Sequence, residues 1–130
     1  MQNGFEGIVS GLFTIPNCVM TECKHDTQYC DGGEIMQSLV CGKAFRVVSE
    51  DGFDAVNNHA VCRCHVVRLF GIGMVGGGVF CRVMKVLGEA GIGFYGASLS
   101  ECGIAIALPR DRFAETVRLI SAELLEEDRT

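Results

Sequence analysis

Residues 64–125 spell out one order of elements, and that order excludes most architectures. An apolar, β-branched run over 64–70 reads as a strand that ends at Gly71. Gly71-Ile-Gly73-Met-Val-Gly76-Gly77-Gly78 follows as a loop. Val79, Val83, Val86 and Leu87 then recur at helical spacing, which predicts a helix over 79–90. Gly91 is placed to end it, since glycine takes the left-handed conformation without a Cβ clash. Residues 94–99 read as a second strand. A tight turn through Glu101, Cys102 and Gly103 leads to a third at 104–108, with clean period-two alternation, ended by Pro109. Asp111 is positioned to cap a closing helix over 111–125, with Phe113, Val117, Ile120 and Leu124 on one face. A crossover helix followed by a hairpin cannot extend a doubly wound parallel sheet. The expectation is an α+β fold with antiparallel pairing.

The N-terminal half reads as a fainter repeat of that order. Phe5, Val9, Leu12 and Phe13 fall at helical spacing over 4–15, and Pro16-Asn17 stops the run. A strand is expected at 18–23, a long polar hairpin loop with Asp31-Gly32-Gly33 at 24–38, a strand at 39–48 and a short helix at 51–60. Asp51-x-Phe53 matches Asp111-x-Phe113 at a separation of 60, and Gly4 and Pro16 match Gly78 and Ala90 at a separation of 74. The difference of 14 is assigned to an insertion in the loop between strands, where extra length costs little. Two units follow, 1–61 and 62–130, the first lacking an opening strand. Its sheet edge would be covered by the other unit or by a second copy, unless the chain is a fragment.

Composition narrows the function. Of 130 residues 48% are hydrophobic, enough for a core, yet no apolar stretch reaches the roughly 20 residues of a membrane span. The start carries no basic signal region, so a cytoplasmic protein is expected. A net charge of -5 argues against a nucleic-acid partner, and Arg63, His65 and Arg68 make only a short basic stripe. The eight cysteines, in a reducing compartment, read as buried hydrophobes. The competing zinc reading would gather Cys62, Cys64 and His65 with Cys23, His25 and Cys30, but lacks the paired spacing of strong zinc motifs. His25, His59 and His65 have no motif neighbours. Glu50-Asp51 and Glu126-Glu127-Asp128 read as a helix cap and a solvated tail. No nucleophile stands out, so no enzyme, metal or cofactor is expected.

Gly71-x-Gly73-x-x-Gly76 fits the dinucleotide fingerprint between a strand and a helix. The ribose-binding acid expected about 20 residues on is missing from 90–94, and the hairpin return is wrong for that fold. Two readings remain: a tight strand-to-helix turn, or a turn whose free amides and carbonyls grip an amino acid. Val67-Arg-Leu-Phe-Gly-Ile-Gly-Met-Val-Gly-Gly-Gly-Val79, then Val86-Leu-Gly-Glu-Ala-Gly-Ile92, Ser98-Leu-Ser-Glu101, Ile104-Ala-Ile106, Asp111 and Phe113, resembles the second ACT domain of aspartate kinases. The resemblance covers residues 66–124, about half the chain; the N-terminal half is similar to a first ACT domain in layout only.

That resemblance implies ferredoxin-like tandem ACT units with helices on one face of the sheet. It also implies an amino-acid effector of the lysine or threonine type, held by Gly71, Ile72, Gly73, Met74 and Val75 together with Ser98, Leu99, Ser100 and Glu101. A homodimer, and a kinase or other biosynthetic enzyme domain as partner, come with it. Three glycines stand where the family often has a proline before the helix, and the Gln-Asn pair of effector-binding units is absent from Val19-Met-Thr-Glu-Cys23. A ligand-free assembly module and a vestigial nucleotide-binding fragment are the alternatives.

Overall fold

The computed structural model describes residues 8–22, 34–53, 60–74, 78–100 and 103–125. Expectations for Cys23, His25, Cys30, His59, Val75, Glu101, Cys102 and Glu126-Glu127-Asp128 lie outside them, as does the 24–33 part of the loop expected at 24–38, whose remainder, 34–38, is strand. The elements are β1 (Ile8–Glu22), β2 (Glu34–Val40), β3 (Lys43–Ser49), a 3-10 turn (Glu50–Gly52), β4 (Ala60–Ile72), α1 (Gly78–Ala90), β5 (Gly96–Ser100), β6 (Gly103–Leu108) and α2 (Phe113–Leu124). The strands form one antiparallel sheet in the order β2-β3-β1-β4-β6-β5.

The C-terminal half follows its periodicity closely. On β6, Ile104, Ile106 and Leu108 are fully buried beneath the helices, each contributing about 1.5–3 kcal/mol by burial. Val79, Val83 and Leu87 of α1 and Ile120 and Leu124 of α2 meet them in the same core. Gly91 ends α1 at φ +70, and Ile92 N–H donates to Leu87 O at 2.9 Å. Arg112, not Asp111, holds the N-cap position of α2 and offers it no side-chain cap.

The N-terminal half departs from expectation. The helix expected over 4–15 is, from Ile8 onward, part of β1, so an opening strand is present. Val9 and Leu12 do share a face, packed against the helix-side core. A bulge puts them there: Val9 pairs with Gly71 and Gly11 with Phe70, leaving Ser10 out of register. A second bulge at Pro16-Asn17 separates the pairs Ile15↔Val66 and Cys18↔Cys64. Asn17 sits at φ +59, and its N–H turns to His65 Nδ1 at 3.0 Å.

The strand expected at 39–48 is broken by a two-residue turn, Cys41 at φ +52 and Gly42 at φ +80, which creates the β2–β3 hairpin. Of the helix expected at 51–60, Asp51 and Gly52 belong to a single 3-10 turn before extended Phe53, residues 54–59 lie outside the described ones, and Ala60 already belongs to β4.

A separation of 60 relates the two hairpins, matching Val40 and Lys43 to Ser100 and Gly103. Cys18 pairs with Ser49; one step beyond His65↔Leu108, Cys64 falls opposite Pro109, sixty residues after Ser49. Placing Ser49 on Pro109 therefore sets their partners Cys18 and Cys64 in matching places, at a separation of 46, and these two face each other across the β1–β4 ladder. The match of Gly4–Pro16 to Gly78–Ala90 is overturned with the helix. Where 73–95 carry α1 between β4 and β5, only residues 23–33 link β1 to β2, so the first half is the shorter one there.

The sheet curls so that its outermost strands, β2 and β5, approach one another. Small residues permit this: a Cβ on Gly96 would lie 2.6 Å from Ser38 Oγ. Cys18, Met20, Met36, Val47, Cys64, Val66, Ala105 and Ala107 fill the inner face. Burial pushes the Cys18 thiol up to about 11 and the Cys64 thiol up to about 12, as core residues should behave. Cys41 and Cys81 are exposed, against the core reading. No helix among the described residues is long and apolar enough to cross a membrane.

Candidate functional site

The glycine segment begins inside the sheet. Gly71 and Ile72 are the last residues of β4 and pair with Val9 and Ile8 of β1. Gly71 lies so close to β1 that a Cβ there would meet Ile8 O at 1.9 Å. The turn proper starts at Gly73, whose φ of +72 suits glycine. Met74 is fully buried in the helix-side core, so its side chain is structural.

Ser98, Leu99 and Ser100 lie on edge strand β5, opposite Ala105, Ile104 and Gly103. Phe70 also pairs with Gly103. The Gly73 turn and the end of β5 thus share one pole of the sheet with β6 between their strands: Ser100 is level with Phe70, two strand spacings or about 10 Å across, and Gly73 comes three residues after Phe70. Leu99 is exposed on this edge, and Ser98 borders a cleft of about 440 Å³ shared with Ser38 and Leu39 of β2.

The opposite pole carries a cleft of about 560 Å³ that the sequence did not announce. Arg63 from the start of β4, Ile92 and Tyr95 from the α1–β5 connection, and Arg110, Asp111 and Arg112 from the β6–α2 connection line it. Arg110 donates from Nε to Cys64 O (3.3 Å) and from Nη2 to Cys18 O (3.0 Å) and Glu50 Oε1 (2.8 Å). Arg63 also binds Glu50. Hydrogen bonding from Arg110, followed by the charges of Arg110 and Arg63, holds the Glu50 carboxyl below its usual range. Arg112 makes a bidentate pair with Glu115 at 2.9 Å and reaches the carbonyls of Ala90 and Gly91, tying the end of α1 to the start of α2. Arg63 near the start of β4 and the Arg110-Asp111-Arg112 run between β6 and α2 are the sequence signals for this cleft.

The Arg63-His65-Arg68 stripe is dispersed. His65 packs edge-on against Phe113 of α2, while Arg68 reaches Ile35 O of β2 at 3.5 Å. Burial, with the charge of Arg110 beside it, lowers the His65 pKa, and an Nδ1 that accepts from Asn17 requires a neutral ring. An unfolded chain takes up this proton below about pH 6.5, where the folded imidazole resists it. Stability should therefore fall as pH drops from about 7.5 to 5.5, and His65→Gln should flatten that part of a thermal-unfolding profile. Glu50 acts in a lower window, its contribution being lost as pH falls past the ordinary carboxylate range.

No protein-family model matches the chain, and no curated protein sequence matches it. Solved structures do. The ligand-free regulatory subunit of aspartate kinase from Thermus thermophilus superposes with a TM-score of 0.67 at 13% identity, over 88% of this chain and 97% of that one. The chain shares its fold with aspartate kinase regulatory subunits. Against Clostridium acetobutylicum aspartate kinase the TM-score is 0.69 at 12% identity, over 92% of this chain but 35% of the enzyme. A Vibrio cholerae protein of unknown function, described as a possible transport protein, matches at 0.63 and 10% identity, over 84% of this chain and 85% of that one. At such identities the likeness is one of backbone architecture.

Proposed function

We propose that the chain is an amino-acid-sensing regulatory module of two ACT-like units, as the sequence resemblance suggests. The division between units is best drawn at the start of β4, two residues before the 61/62 boundary. The observation that carries the reading is the Gly73 turn: a positive-φ glycine leaving a central strand, at the same pole as Ser98 and Ser100, in a fold shared with aspartate kinase regulatory subunits. The ligand class is an amino acid of the lysine or threonine type, gripped by backbone groups around Gly73. Through contacts made in one arrangement and not another, it would bias a kinase or other biosynthetic enzyme domain. A cytoplasmic homodimer is the working form.

A thermal-shift screen with the twenty amino acids and with nucleotides tests this. Stabilisation by one amino acid supports sensing, and stabilisation by a dinucleotide would favour the vestigial enzyme. No response at millimolar ligand would leave the assembly module, for which the edge strands β2 and β5 speak. Gly73→Val should abolish the amino-acid response. A β-branched residue at φ +72 costs about 1–2 kcal/mol and withdraws backbone groups from the turn, while circular dichroism should show the fold retained.

A further inference from the structure

We propose that the arginine-lined cleft is a binding site for a small organic monoanion, a carboxylate carried on an apolar body, separate from the Gly73 turn and independent of the amino-acid reading.

Charge matching comes first. Arg63 and Arg110 converge on a single carboxylate, Glu50, whereas Arg112 has Glu115 to itself. Two guanidinium groups sharing one carboxylate leave one positive charge unmatched at that corner of the cleft. Asp111, on the rim, forms no ion pair among the described residues. With Glu50, Glu115 and Asp111 set against Arg63, Arg110 and Arg112 the cleft is neutral as a whole, and its pull on an anion is the local excess where Arg63 and Arg110 meet; a single carboxylate matches that excess, whereas a phosphate dianion or a nucleotide exceeds it.

The donors are in place beforehand. Three hydrogen bonds fix the Arg110 plane against Cys64 O, Cys18 O and Glu50, and its Nη1 has no partner among the described residues. Among the described residues Arg63 is bound through Nη1 alone, on a side chain 64% exposed. An exposed ion pair of that kind is weak, so Arg63 can share its guanidinium with a ligand at little cost. Charge-assisted bonds from two such groups suit a carboxylate.

The remainder of the wall selects the body. Tyr95 and Pro109 present aromatic and apolar surface, backed by the buried Ile92. Gly93 beside them has no atom within 4 Å of where a Cβ would stand, so nothing crowds that side. The volume, about 560 Å³, falls within the range of small-ligand sites. Arg63 precedes Gly73 by ten residues along β4, which at strand rise is about 33 Å, so a ligand here cannot touch the turn.

Phenylacetate and its neutral isostere phenylacetamide are the probes, titrated into the full chain with amide resonances followed by NMR. Phenylacetate should shift the Gly91 and Gly93 amides saturably with Kd on the order of 1–10 mM. Phenylacetamide should not, Arg63→Gln should weaken phenylacetate binding roughly tenfold, and Tyr95→Ala should weaken it without altering the dispersion of the spectrum. The proposal is overturned if phenylacetamide binds as well, if Arg63→Gln has no effect, if inorganic phosphate binds more tightly, if shifts centre on Gly73, or if nothing saturates.

Discussion

Gly71→Ala should lower the stability of the protein by about 3 kcal/mol, the largest loss expected from adding one methyl group to this chain. The new Cβ would stand 1.9 Å from Ile8 O, 2.9 Å from Ile8 C and 3.0 Å from Val9 Cα. All three are backbone atoms, so no rotamer change relieves the overlap. The first residues of β1 must move off β4, and Val9 and Leu12, partly buried against the helix-side core, would be drawn out with them. Urea denaturation gives the measurement: a lower midpoint with an unchanged slope places the damage in the native state. An unfolding free energy within about 0.5 kcal/mol of the parent's would mean that β1 does not approach β4 so closely.

Arg110→Met should cost a similar amount, about 3 kcal/mol, for a different reason. Methionine keeps much of the aliphatic stem but supplies no donor to Cys18 O or Cys64 O, carbonyls of two fully buried residues. An acceptor stranded in that setting costs about 1–3 kcal/mol. Glu50→Gln removes the ion pairs to Arg110 and Arg63, whose groups are about a third exposed or more, leaves both carbonyl contacts in place, and should cost much less. Denaturation of both variants separates the roles. Equal losses would mean that the salt bridge, not the carbonyl contacts, is what Arg110 supplies.

How far the sequence revealed this arrangement depended on how regular each strand is. β6 alternates without interruption, with isoleucine and leucine facing the helices and alanine facing inward, and its boundaries were legible within a residue. β1 carries two bulges, and each one breaks the period of two. The first puts Val9 and Leu12 on one face, a spacing indistinguishable in sequence from a helical stripe. The β2–β3 hairpin was missed because Cys41-Gly42 takes positive φ at both positions without the Asn or Asp that usually marks such a turn.

The candidate sites divide along the same line. The Gly73 turn was legible because glycine punctuates a strand end, although Gly71 serves the β1–β4 contact and Met74 the core. The arginine cleft was not. Arg63, Tyr95 and Arg110 lie apart in the chain, and the antiparallel registers of β4 and of β5 on β6 bring them together at one end of the sheet.

The sixty-residue relation has a last consequence at Glu50 and Arg110, which occupy matching places after β3 and β6 and are bound to each other. One is an anion and the other a cation. If either half docked against a copy of itself in the same geometry, carboxylate would confront carboxylate, or guanidinium would confront guanidinium. Each half is therefore a ligand for the other and a poor one for its own kind, so the charges favour pairing of unlike halves and disfavour pairing of like ones.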